Sequence, residues 1–145
     1  MDALAEGAQP DMALRLQQIL KETPDKNLYL GTKDIRKWRA WLESPPFYAK
    51  PADKVWAMME LGIAELRYGQ EKEAVQHLGQ AFKLGRESQV EAKQLGECMF
   101  FLGIAYLRFA ETQNCCQQHS PESCTLPIRG AGLHTKQEGS KNAMV

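Results

Sequence analysis

Cysteine and histidine side chains concentrate in one short segment near the C-terminal end of this sequence. Cys115, Cys116 and Cys124 fall within ten residues, and His119 and His134 lie inside or soon after the same stretch. Cysteine sulfur and imidazole nitrogen can form disulfides, bind zinc, or act together as a nucleophile and its base. This segment is therefore the first place where the sequence could carry chemistry.

Three interpretations of the cysteine segment stay open on the residues alone. A disulfide between Cys115 or Cys116 and Cys124 would hold an irregular cap against the preceding helix. The alternative is a zinc site, whose four ligands would be Cys116, His119, Cys124 and His134. Their spacing matches no common zinc module. Free thiols in a reducing compartment are the third interpretation.

No catalytic signature surrounds these residues. The sequence contains no Gly-rich phosphate loop, no HExxH motif, no CxxCH haem motif and no serine nucleophile elbow. A Cys–His pair is formally available, but a disulfide would remove the thiol. We therefore expect a non-enzymatic protein that has no catalytic residues and needs no cofactor.

The elements that must position the cysteine segment are helices. Apolar residues recur three and four positions apart through most of the chain, and no run alternates with period two for long enough to predict a confident strand. Five helices are expected, at about 10–22, 32–43, 51–68, 71–91 and 90–109. A single domain over 1–145 would then comprise an N-terminal helical hairpin (10–50), a repeat region (51–111), the cysteine-containing cap (112–136) and the start of an unfinished helix (137–145).

The composition and charge of the chain limit the kinds of partner that it is expected to bind. Hydrophobic residues make up 43% of the chain and charged residues 25%, and 18 basic residues balance 18 acidic ones. A balanced chain lacks the electric field that concentrates nucleic acid or anionic lipid around a protein. The longest apolar stretch, Cys98–Leu107, is about half the length of a membrane-spanning helix. We expect a protein or peptide partner, no nucleic acid and no membrane insertion.

Two nearly identical heptapeptides lie 41 residues apart: Leu61–Arg67 reads LGIAELR and Leu102–Arg108 reads LGIAYLR. A glycine beside a large residue lets two helix backbones approach closely, and Ala74 and Ala81 supply small residues in the next helix. This pattern resembles the tetratricopeptide (TPR) repeat, a helix pair of about 34 residues. The resemblance implies an all-α fold of antiparallel helical hairpins stacked in a right-handed solenoid. The longer spacing predicts that the fourth helix extends through residues 85–91.

In TPR folds the first helix of each repeat lines a concave groove that binds an extended or helical peptide. Carried over to this sequence, the resemblance implies a groove lined by Trp56, Met59, Ile63, Leu66 and Arg67 in the first repeat and by Phe100, Ile104, Leu107 and Arg108 in the second. The two arginines could pair with carboxylates of the partner. Alternatively the chain's own N-terminal helices fill the groove, which would make Trp56 and Phe100 core residues, or the domain is a structural spacer without a ligand.

A narrower resemblance rests on the cysteine segment that follows the second heptapeptide. Its residues Asn114, Cys115, His119, Pro121, Ser123, Cys124, Pro127, Ile128, Gly130, Gly132 and His134 are similar to those of certain large secreted bacterial proteins. In that group, related to cartilage acidic protein, TPR-like helices precede an FG-GAP β-propeller and an ASPIC/UnbV module. The resemblance covers roughly residues 55–145. It implies a periplasmic or secreted protein, a Cys115–Cys124 disulfide and downstream domains as candidate partners, whereas the lack of a visible signal peptide leaves a cytoplasmic location as the alternative.

Overall fold

The computed structural model describes residues 9–22, 32–117, 120–124 and 126–144, which form helices joined by turns. Those ranges contain no strand, so the expected all-α class is confirmed. The α-helices are α1 (Gln9–Glu22), α2 (Lys33–Glu43), α3 (Pro51–Arg67), α4 (Glu71–Glu87), α5 (Ala92–Glu111) and α6 (Glu138–Asn142). Within the described residues, no helix combines the length and the apolar character needed to span a bilayer.

The ends of the central helices follow from particular residues. Pro51 begins α3, where its missing N–H group leaves no hydrogen bond unmade. Gly69 lies in the turn before α4 with φ of +69°, a left-handed conformation that favours glycine. The predicted extension of the fourth helix through residue 91 is wrong. α4 ends at Glu87, and Gln89 takes φ of +51°, which breaks the helix before α5 begins at Ala92.

Helix α3 lies between two apolar cores. One of its faces packs against α4 and α5, in a core formed by Val55, Met59, Ala74, Leu78, Ala81, Cys98 and Ala105. Another face packs against α2, in a core formed by Ile35, Trp38, Ala57, Leu61 and Ala64. Cys98 is thus a fully buried core residue.

The glycines of the two heptapeptides have different surroundings. A methyl group at Gly62 of α3 would lie 2.5 Å from the Cγ atom of Leu78 on α4, so only glycine permits this contact. A methyl group at Gly103 of α5 would meet no atom closer than 3.8 Å, the distance to the carbonyl oxygen of Ala143 just beyond α6. The neighbouring helix therefore leaves no room for a side chain at the first glycine, whereas a methyl group at the second would make an ordinary van der Waals contact.

A buried carboxylate joins three helices. Glu65 of α3 is fully buried, and its Oε1 atom accepts a hydrogen bond from Nη2 of Arg39 on α2 at 2.8 Å. Its Oε2 atom lies 2.7 Å from Nδ1 of His77 on α4. The His77 imidazole is 27% exposed, so it is partly buried where it bonds to this carboxylate.

Candidate functional site

An open apolar groove, which we name the α5 groove, runs along one side of α5. Its volume is about 730 Å³. Large apolar side chains stand open in it, with Met99 exposed by 53%, Phe100 by 63% and Leu107 by 50%. Its lining residues include Met99, Phe100, Gly103 and Leu107 of α5, Phe82 of α4, and Ala143 after α6.

Within the described residues, α6 covers less of α5 than α4 covers of α3. The 17 residues of α4 run along α3, and Leu78 fills the space over Gly62. The five residues of α6 reach only the later part of α5, where a methyl group at Gly139 would lie 2.8 Å from the carbonyl oxygen of Tyr106. The part of α5 that contains Met99 and Phe100 lies beyond this contact and faces outward.

The α3 half of the predicted groove is largely closed by the protein itself. Met59 is only 4% exposed and belongs to the core, so the structure does not place it on a binding surface. Trp56 is 46% exposed, but its ring meets that of Trp38 edge to face at 4.7 Å, so α2 covers part of this region. The remaining predicted α3 residues are Ile63 and Leu66, half-buried against the core, and Arg67, which is exposed.

The α5 half of the predicted groove is the open one. Phe100, Ile104 and Leu107 all line the α5 groove, and the exposure of Phe100 shows that it is not a core residue. Arg108 is exposed near the end of α5 and pairs with Glu111 at 3.1 Å. Since exposed ion pairs contribute less than about 1 kcal/mol, Glu111 leaves the guanidinium able to bind a carboxylate of a partner.

Sequence reasoning missed part of the lining. Met99 occupies the same place in the second repeat as Met58 in the first, and Met58 packs against the core beside α4. By that equivalence Met99 would also be covered by a following helix. In the structure Met99 is exposed instead, and no residue within α5 signals this difference from Met58.

The Asn114 side chain connects the cysteine segment to the end of α5 through hydrogen bonds. Its side chain is buried, and its amide nitrogen donates to the carbonyl oxygens of Ala110 and Lys136 at 2.9 and 2.8 Å. Its amide oxygen accepts a hydrogen bond from the Lys136 N–H at 3.0 Å. These hydrogen bonds hold the backbone of Lys136 against the end of α5. Nearby, the Nε2 atom of His134 lies 3.3 Å from the Sγ atom of Cys115.

The disulfide and zinc interpretations fall partly outside the described residues. Cys115 and Cys116 are free thiols in the structure, while the side chain of Cys124 and all of His119 lie outside what it describes. The Cys115–Cys124 disulfide therefore stays a prediction. Where the structure describes the chain, no three metal-ligating side chains form a group, and His134 lies next to Cys115, which is not a member of the predicted zinc set.

We expect iodoacetamide at about pH 8 to alkylate Cys116 in the native protein and to leave Cys98 unmodified. The thiolate is the reacting species, and burial raises the pKa of the Cys98 thiol to about 11. Peptide mass spectrometry with and without guanidinium measures the modification, and Cys98 should react only after unfolding. Equal rates for native Cys98 and Cys116 would contradict the core position of Cys98. A Cys115 thiol that reacts only after reduction would reveal the predicted disulfide.

Comparisons with known proteins do not assign this chain to a family. No protein-family model, curated protein or solved structure matches it. The observations that bear on its function are therefore the helix packing and the α5 groove.

Proposed function

We propose that this chain is a non-enzymatic, TPR-like interaction module that binds a helical segment of a protein partner in the α5 groove. The observation that carries the proposal is the joint exposure of Met99, Phe100 and Leu107 on a helix whose other side contributes Cys98 and Ala105 to the core. Contiguous apolar surface on a packed domain is typical of an interaction site.

The packing of α4 on α3 supports a helical ligand. There, Ala74, Leu78 and Phe82 lie four residues apart on the side of α4 that packs into the core, and Leu78 packs over Gly62. The equivalent surface of α5, around Gly103, lacks such a cover. A partner helix with apolar residues at the same spacing would bury the open side chains in the manner of other helix-in-groove complexes.

The proposal is tested by selecting amphipathic helical peptides from a displayed library on the immobilised protein. The double variant Phe100→Glu/Leu107→Glu should bind the selected peptides at least about tenfold more weakly, because the docked helix would strip water from two carboxylates. Phe47→Glu is the matched control, since Phe47 is fully exposed in the turn between α2 and α3 and should leave affinity unchanged. Equal affinity for wild type and the double variant, with helicity intact by circular dichroism, would refute the proposed site.

A further inference from the structure

Helix α1 presents a second apolar surface, which the described residues of the chain leave exposed. Every side chain described in it, from Asp11 to Glu22, is exposed. Met12, Leu16 and Leu20 are 60%, 52% and 57% exposed and lie four residues apart, on one face of the helix. A helix of 14 residues is marginal in water on its own, so burial of this face against a partner would stabilise α1.

The apolar face of α1 has the spacing that the α5 groove requires. Met12, Leu16 and Leu20 repeat the four-residue spacing of Ala74, Leu78 and Phe82 on α4. The first of the three α1 side chains is Met12 where α4 has Ala74, and a larger side chain suits a groove in which even a methyl group added at Gly103 would lie 3.8 Å from the nearest atom. α1 therefore matches the α5 groove in the way that α4 matches α3.

Charge along the groove favours the same occupant. Lys83 and Arg86 lie on α4 beside Phe82, next to the single carboxylate of Glu87. On α1, Asp11 and Glu22 lie about three turns apart, on the same flank of the apolar face. In the direction of binding that turns this flank towards α4, the docked helix would bring one of these carboxylates towards the basic edge.

We propose that α1 of one copy of this chain docks in the α5 groove of a second copy, and that reciprocal exchange forms a twofold dimer. The proposed partner for the α5 groove is thus a second copy of this chain. This dimer rests on the binding role proposed for the α5 groove above. Within the single chain, none of the described residues that line the groove comes from α1. A twofold arrangement makes the same α1–groove contact twice, which doubles the buried surface.

Sedimentation equilibrium of the full chain tests the dimer. Wild type should show a concentration-dependent dimer, and Leu16→Glu/Leu20→Glu should raise its Kd at least about tenfold. Leu14→Glu is the matched control, because Leu14 is 65% exposed on the opposite side of α1 and should leave the Kd unchanged. An α1 variant mixed with the groove variant Phe100→Glu/Leu107→Glu should form a heterodimer, since one intact α1–groove contact is restored.

Three results would overturn the dimer. The first is a wild-type chain that stays monomeric throughout the accessible concentration range. The second is a dimer that the groove variant abolishes and the α1 variant leaves intact, which would assign the groove another occupant. The third is a failure of the two variants to form a heterodimer. Binding of selected peptides in the α5 groove would be unaffected by any of these results, so the proposed function is judged separately.

Discussion

Replacing Glu65 with alanine is expected to lower the free energy of unfolding by about 3 kcal/mol. The carboxylate is fully buried and bonds to Arg39 at 2.8 Å and to His77 at 2.7 Å, so its removal breaks contacts to two other helices. Hydrogen bonds to charged groups contribute about 1.5–3 kcal/mol each, and alanine leaves a cavity as well. Arg39 is 47% exposed, so solvent screening reduces the contribution of its ion pair with Glu65 to the free energy of unfolding.

Urea unfolding followed by circular dichroism measures this effect. Glu65→Gln is the control that preserves the volume of the side chain, and it should cost about 1 kcal/mol because an amide can still accept from Arg39. Arg39→Ala should cost about 1–3 kcal/mol, since it leaves the fully buried carboxylate of Glu65 without its guanidinium partner. A loss below about 1 kcal/mol for Glu65→Ala would show that the carboxylate does not hold the three helices together.

The second large effect is expected at the glycines of the two heptapeptides. Gly62→Leu should destabilise the fold by about 3 kcal/mol or more, because even a methyl group there lies 2.5 Å from Cγ of Leu78. Gly103→Leu should change stability by less than about 1 kcal/mol, since its side chain would extend into the open α5 groove. The same variant should weaken the binding of selected peptides, because leucine would occupy their space.

Matched urea titrations of these two variants give the comparison, and Gly62→Ala and Gly103→Ala refine it. Gly103→Ala should be neutral or slightly stabilising, since alanine favours a helix over glycine by about 1 kcal/mol. Gly62→Ala should still be destabilising. Equal losses at the two positions would mean that Gly103 is as closely covered as Gly62.

The bounds of α3 and the start of α4 agree with the sequence prediction. Pro51 determines where α3 begins, and Gly69 forms the turn between α3 and α4. Both residues act through their own backbone conformation. The end of α4 was placed too late because repeat spacing was used in place of a local signal. The left-handed conformation of Gln89, which ends that helix, belongs to a residue type that gives little warning of it.

Long-range contacts were harder to predict. The two heptapeptides read almost identically, yet a methyl group would lie 2.5 Å from Leu78 at Gly62 and 3.8 Å from the nearest atom at Gly103, because different segments pack over the two glycines. The partnership of Glu65 and His77 likewise depends on which side chains face each other across two helices. The sequence does contain one signal of this partnership, the carboxylate of Glu65 on the apolar face of α3, since a buried charge requires a partner.

Photo-crosslinking from inside the groove tests the binding role of α5 most directly. Benzoylphenylalanine would be introduced at position 100 in one sample and at position 56 in another, and a selected helical peptide added to each. We predict a crosslink to the peptide from position 100 and a much weaker one from position 56, where the native Trp56 ring packs against Trp38 of α2. A strong crosslink from position 56 with none from position 100 would contradict binding in the α5 groove.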